Sequence, residues 1–319
     1  METLNILAQK LEEIDGPIYI AGHINPDNDS IGSCLTLGLV LKKLGKDVYV
    51  LLEEKDKEIL AVHKDHSLVT SEVIHETYSF IANDLNETYR LGRYEEYFHK
   101  AKYTINIDHH QDNLTNADTI FSRPDLSSTC EIIYNLICII DKELLDNNIR
   151  ESLYAGIMTD TGCFARRLSP NTLNIAQELI NSGVDYEGII RRAYSHRTMY
   201  ELKALSKLVD NIQFDAFHYV VMDKTLPEFQ DLSHNQIVKT IAEEIRKIEG
   251  IDVFLLIIKT GNNLHTKCMS NISKNANKIA ELFGGGGHKG EAGFSSDKYS
   301  VDEVISTTKQ FILNNAIEH

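Results

Sequence analysis

Residues 17–22 read PIYIAG, residues 23–29 HINPDND, residues 30–44 SIGSCLTLGLVLKKL and residues 47–52 DVYVLL. The first and last are short apolar runs, the pattern of buried strands. The segment between them has helical length; Asp29 or Ser30 can cap its start and Gly45 can close it. It is apolar on almost every side, which predicts a buried helix. Strand, polar loop, helix and strand in this order open a layer of parallel βαβ units.

The pattern continues outward. SFIAN (79–83) and YTINI (103–107) are two further strands, separated by the helical stretch ETYRLGRYEEYFHKA (87–101). Residues 127–141 and 146–158 carry Ile132, Ile133, Leu136, Ile137 and Ile140, then Ile149, Leu153 and Ile157, at helical spacing. The expected fold is α/β, a doubly wound and mostly parallel sheet. From Pro170 to about 212 the pattern is helical and charged. HYVVM (218–222), VFLLIIK (253–259) and LHTKCMS (264–270) then restart the strands, with amphipathic helices between and after them. These shifts predict a first domain over 1–190, a helical linker over 191–212 and a smaller mixed α/β domain over 213–319.

Hydrophobic residues make up 42% of the 319 and charged residues 25%, which excludes a disordered or fibrous chain. Lys and Arg number 32 against 47 Asp and Glu, a formal charge of -15. That balance argues against wrapping long duplex nucleic acid, yet leaves room for a small phosphorylated ligand. No apolar run approaches the ~20 residues of a membrane span, and METLNILAQKLEEIDG reads as an amphipathic helix instead of a signal peptide. Five scattered cysteines without a C-x-x-C pair suit a reducing cytoplasm. The expectation is a cytoplasmic protein away from membranes.

Three strand candidates are followed directly by residues of metal-ligand type: His23, Asp27 and Asp29 after the first, Asp84 after SFIAN, and Asp108, His109 and His110 at the end of YTINI. Ligands of open α/β sheets bind outside the carboxyl ends of strands, so these side chains would gather in one crevice. Asp160, in the turn TDTG (159–162), is a fourth carboxylate candidate. Asp and His without Cys suit Mn²⁺ or Mg²⁺ better than structural zinc. Singly, each has a plainer reading: Asp27 and Asp29 as helix caps, Asp84 as a turn residue. The glycine run FGGGGHKGEAGF (283–294) follows a helical stretch, which rules out a dinucleotide fingerprint. As a loop it would offer backbone N–H groups to an anion, with His288 and Lys289 as added donors.

H-x-N-P-D-x-D at 23–29, Asp84, Asp108-His109-His110, T-D-T-G and GGGGHK-x-x-AG (284–293) together resemble the DHH phosphoesterase family with a C-terminal DHHA1 domain. Length and domain order are most similar to its nanoRNase/pAp-phosphatase branch. The resemblance implies hydrolysis of short oligoribonucleotides or linear dinucleotides to mononucleotides, and of 3′-phosphoadenosine 5′-phosphate to AMP. It implies a site in the cleft between two domains and two Mn²⁺ ions, Mg²⁺ or Co²⁺ being substitutes, that activate a bridging hydroxide. One ion would take His23, Asp27 and Asp84; the other would take Asp29, His109 and Asp160, with Asp84 bridging. Asp84, Asp108, His109 and His110 would form the catalytic group, Asp108 orienting a histidine ligand. His110, Arg90, Gly286, Gly287, His288 and Lys289 would bind substrate. The implied partner is short single-stranded RNA or a small nucleotide, and a homodimer is compatible.

Two residues depart from the family pattern. Asn28 stands where N-P-D-G-D has glycine, and Asn tolerates left-handed backbone angles. Ser270 stands where relatives carry an Arg that grips substrate, and a hydroxyl cannot make that two-pronged contact. The alternatives are therefore the same chemistry on pyrophosphate or another small phosphate, and a nucleotide sensor without turnover.

Overall fold

In β1 (Ile18–Ala21) every side chain is buried, Ile18 and Ile20 in one core and Tyr19 and Ala21 in another, as strand alternation dictates. A sheet buried on both faces needs helices on both, and the chain supplies them. The computed structural model describes residues 3–194, 199–230, 244–245, 248–273 and 275–315. It divides into two units, Met1–His196 and Arg197–His319.

The first unit opens with α1 (Leu4–Glu13), β1, α2 (Asn28–Lys43) and β2 (Val48–Leu51). β3 (Val69–Thr70), β4 (Ser79–Asn83), α3 (Glu95–Lys100), β5 (Tyr103–Asp108) and β6 (Thr119–Ser122) follow. Four helices complete it: α4 (Thr129–Ile140), α5 (Asn147–Asp160), α6 (Thr172–Asn181) and α7 (Tyr186–Tyr194). All six strands are parallel, in the order β3-β2-β1-β4-β5-β6. The chain winds outward from β1 to β3, then returns to β4 on the other side of β1. The carboxyl ends of β1 and β4 are therefore the topological switch point. α2 is buried along most of its length against α4 and α5, as the all-round apolar pattern requires.

Some local expectations give way. The helix expected over 87–101 is a 3-10 stretch, Thr88–Tyr94, interrupted at the non-helical Gly92 before α3 begins. β3 and β6 had no sequence signal, β3 being two half-buried residues and β6 four residues buried only in alternation. Asn28 is the first helical residue of α2 and has no left-handed angle to accommodate.

His63 is 3% exposed, with Nδ1 3.1 Å from Ser152 Oγ and Nε2 without a hydrogen-bond partner among the described residues. Burial, with Arg192 and His66 adding, pushes its pKa from 6.5 down to about 3. The unfolded chain takes up this proton below 6.5 while the fold keeps the ring neutral, so stability is lost progressively as pH falls from 6.5 toward 3. Between about pH 7.5 and about pH 5, wild type should lose about 2 kcal/mol more than His63→Gln in urea unfolding. Parallel losses in the two proteins would contradict a neutral buried ring.

The second unit contains α8 (Met199–Asp210), β7 (Gln213–Phe214), β8 (His218–Asp223), β9 (Val253–Thr260) and β10 (Asn263–Ser270). It ends with α9 (Ala276–Glu281), β11 (Gly286–His288), β12 (Glu291–Ser296) and α10 (Val301–Asn315). The order is β11-β12-β10-β9-β8-β7, with β8 and β9 parallel and the other pairs antiparallel. β9 again serves two cores, Phe254, Leu256 and Ile258 facing α8 and Val253, Leu255 and Ile257 facing α9 and α10. The amphipathic helix expected between β8 and β9 falls largely on residues 231–243, outside the described residues, as do 195–198 of the expected linker.

The glycine run is not the open loop expected from its composition: it forms β11 and turns into β12. A Cβ on Gly285 would lie 2.3 Å from the Gly293 carbonyl oxygen and 2.5 Å from Phe294 Cβ, so β12 passes this segment so closely only with glycine there. Gly285→Ala should cost the second unit about 1–3 kcal/mol in urea unfolding. An unchanged midpoint would remove this packing role.

Candidate active site

Each strand of the switch point ends in a polar residue that the pleat can no longer bury in a core. His23 follows β1, Asp84 follows β4, and Asp108 ends β5 ahead of His109 and His110. His23 Nε2 lies 3.5 Å from Asp84 Oδ2, and His109 Nε2 lies 3.4 Å from Asp84 Oδ1. His109 Nε2 is also 3.5 Å from Asp160 Oδ2 and 3.9 Å from Asp29 Oδ2. Among the described residues, donor atoms cluster in three groups: His23, Asp27 and Asp84; Asp29, His109 and Asp160; Asp84, His109 and His110. Asp84 holds a left-handed φ of 61°, a strained conformation of the kind that collects at functional sites.

The helices set the remaining carboxylates. Asp27 is the N-cap of α2, accepting hydrogen bonds from the Asp29 and Ser30 N–H groups, so its capping and site positions coexist. Asp29 is gripped by the N-terminus of α4: Thr129 N–H donates to Oδ2 at 2.7 Å and Cys130 N–H to Oδ1 at 2.8 Å. Thr129 Oγ1 donates to Asp84 Oδ1 at 3.0 Å. Asp160 ends α5. His110 Nδ1 is 2.7 Å from Asp108 Oδ1, so the histidine that Asp108 orients is His110. Asn113 Nδ2 donates to Asp108 Oδ2 at 3.1 Å.

Burial pushes the carboxyls of Asp29, Asp84 and Asp160 well above the usual range, and their neighbours' negative charge adds to it. His110 opposes the shift at Asp84, and Arg167 opposes it at Asp160. Asp108 goes the other way: burial works against its charge, but His110 and His109 outweigh it and hold the carboxyl low. Burial and the Arg90 charge lower the pKa of His23 against the pull of Asp27.

Such a cluster is costly alone and suited to cations. Asp160 Oδ2 is buried and accepts no hydrogen bond among the described residues, the mark of an oxygen reserved for another partner. The donors are carboxylates and imidazoles; nearby Cys130 is held as a buried thiol, its pKa raised by burial and Asp29. The set fits Mn²⁺ or Mg²⁺.

Arg90 lies in the 3-10 stretch, where its carbonyl accepts from the Ile24 N–H at 2.7 Å. Gly286 and Gly287 lie in β11 and Lys289 in the turn after it; the His288 side chain lies outside the described residues. Ser270 is buried: its hydroxyl donates to Asp252 Oδ1 at 3.3 Å, and its N–H donates to the Gly290 carbonyl at 3.0 Å. The sequence reading missed Thr129, Asn113 and Arg167. Thr129 and the Cys130 N–H had a signal in the Ser-Ser-Thr-Cys start of an apolar helix, and Arg167 in the basic pair after T-D-T-G. Asn113 had none.

The DHH family's N-terminal domain matches residues 17–157, and the DHHA1 domain matches residues 217–314. Over 308 residues the chain is 29% identical to the bifunctional oligoribonuclease and PAP phosphatase NrnA of Thermus thermophilus, covering 95% of this chain and 91% of that one. An exopolyphosphatase-related protein of Bacteroides fragilis superposes with a TM-score of 0.81 at 20% identity, covering 98% and 95% of the two chains. RecJ of Thermus thermophilus, in complex with Mn²⁺, gives 0.58 at 14% identity over 98% of this chain and 55% of its own. These two structures share the fold. No helix among the described residues is long and apolar enough to cross a membrane. With both domains in order over most of its length, the chain is a DHH-family phosphoesterase that carries a DHHA1 domain after its DHH domain.

Proposed function

We propose that the protein is a Mn²⁺-dependent hydrolase of short oligoribonucleotides and linear dinucleotides, yielding mononucleotides, and of 3′-phosphoadenosine 5′-phosphate, yielding AMP. The observation that carries this reading is the donor set at the switch point, where Asp84 and His109 each belong to two of three groups. The full-length similarity to an oligoribonuclease and PAP phosphatase supports the substrate class. His23, Asp27 and Asp84 would hold one cation and Asp29, His109 and Asp160 a second, with Asp84 serving both. Two such cations supply an acidified water and a clamp on the attacking and leaving oxygens. A substrate phosphorus–oxygen bond breaks and water is added across it.

The protein's own groups do the rest. Four aspartates roughly cancel two divalent charges, so a phosphate dianion needs further positive donors. Asp108 fixes the His110 ring through Nδ1, and we assign His110 and Arg90 to the phosphate. The GGGGHK run suggests a substrate role for Gly286, Gly287, His288 and Lys289. Five free thiols suit a reducing cytoplasm.

A second reading, the same chemistry on another small phosphate, is favoured by Ser270. Its hydroxyl is engaged with Asp252 inside the second unit, where the family pattern expects a substrate-gripping Arg. One chromatographic time course with Mn²⁺, pApA, 3′-phosphoadenosine 5′-phosphate and pyrophosphate decides between them. AMP from both nucleotides with pyrophosphate untouched is the expected result. Consumption of pyrophosphate alone would establish the second reading, and Mn²⁺ binding with none of the three consumed would mark a different substrate or a sensor.

A further inference from the structure

Asp160 differs from its neighbours in what it already holds. Asp29 and Asp84 take hydrogen bonds from the neutral N–H and O–H groups of Thr129 and Cys130. Asp160 instead meets a guanidinium: Arg167 Nη2 lies 2.6 Å from Oδ1 and 3.0 Å from the backbone oxygen of the same residue. Its other oxygen, Oδ2, faces His109 Nε2 at 3.5 Å. One carboxylate thus turns one oxygen to a fixed positive charge and the other to the donors of the second group.

The backbone is shaped to bring this arginine back. After α5 the chain coils left-handed, with φ of 57° at both Gly162 and Cys163 and 63° at Phe164. Thr161 pins the coil, its carbonyl accepting from the Ala165 and Arg166 N–H groups at 3.0 Å and its hydroxyl from the Phe164 N–H at 3.1 Å. Arg167 itself sits at φ 52°. Left-handed angles are unfavourable for side chains like these, and the surrounding bonds hold them. The guanidinium also lies over the C-terminal carbonyl of α5, where the helix dipole favours a cation. Its side chain is 43% exposed against 13% for Asp160, so the cation can swing into water while the carboxylate stays.

We propose that Arg167 is a tethered counter-ion that competes with a divalent cation for Asp160, making the Asp29–His109–Asp160 position the weaker of two. This rests on the two-cation reading above. A divalent ion on Oδ2 and a guanidinium on Oδ1 repel across one carboxylate, so occupancy of the first expels the second. A guanidinium stays charged at all ordinary pH, so Arg167 itself takes up or gives off no proton in the exchange. Once released, its fork is available to a phosphate oxygen.

The test is Mn²⁺ titration calorimetry of the full chain without substrate, with thermal melts confirming the fold of each variant. Wild type should show one tight and one weaker ion. Arg167→Gln should tighten the weaker ion about tenfold and leave the tight one unchanged, while Arg167→Lys, which keeps the charge, should stay within about threefold of wild type. Equal affinities in wild type and the Gln variant would overturn the exchange and leave the two-cation reading standing. Weaker binding in the Gln variant would overturn it too, by showing that Arg167 orients Asp160 for the ion. If wild type takes up no Mn²⁺, the two-cation reading itself falls, and the exchange with it.

Discussion

Asp84→Ala should lower hydrolysis of pApA by at least about a thousandfold, and excess Mn²⁺ should not restore it. The reason lies in its position. Asp84 is 2% exposed, follows the central β4, and shares donor groups with His23 and Asp27 on one side and His109 and His110 on the other. Removing it takes a charge from both proposed cation positions at once. It also deprives Thr129 Oγ1 of its acceptor. Asp84→Asn keeps the shape and the Thr129 contact while losing the charge, and should fail almost as badly. Turnover near wild type in either variant would discard this site.

The second large effect concerns a residue that touches no substrate. Alanine inside a helix is ordinarily more favourable than glycine by about 0.5–1 kcal/mol. At Gly156 the sign should reverse. A Cβ there would lie 2.3 Å from Cys130 Sγ and 3.0 Å from both Cys130 Cβ and Asp29 Oδ1. α5 can pass α4 at this distance only with a bare Cα. Gly156→Ala should therefore cost the first unit about 1–3 kcal/mol in urea unfolding. By pushing α4 off Asp29, it should also weaken Mn²⁺ binding about tenfold or more. Adding Cys130→Ala should recover part of both losses, because the two positions share one space. A more stable Gly156→Ala protein would contradict the close packing behind the site.

The strand ends that carry the clustered donor groups are legible in the sequence because burial and chemistry change at the same residue. PIYIA is apolar, and SFIAN and YTINI are buried runs with few polar residues, until His23, Asp84 and Asp108 bring in ionisable groups. The sequence could not disclose what holds those side chains. Asp29 depends on N–H groups of Thr129 and Cys130, a hundred residues away along the chain; Ser-Ser-Thr-Cys marks a helix start there, but not which carboxylate it meets. The same limit explains the glycine run, where composition suggested an open anion cradle. The close approach of β12 to Gly285 is a tertiary fact, visible only once Phe294 is in place. The capping reading of Asp27 is right and incomplete at once, since the carboxylate that caps α2 through Oδ1 also belongs to a donor group with His23 and Asp84.

The proposed hydrolysis requires two divalent cations held by the side chains at the β1–β4 switch point. Anomalous diffraction at the manganese edge from crystals grown with Mn²⁺ tests this requirement most directly. Two peaks are expected, one among His23, Asp27 and Asp84 and one among Asp29, His109 and Asp160. Density elsewhere on the surface, with these carboxylates bare, would contradict the account.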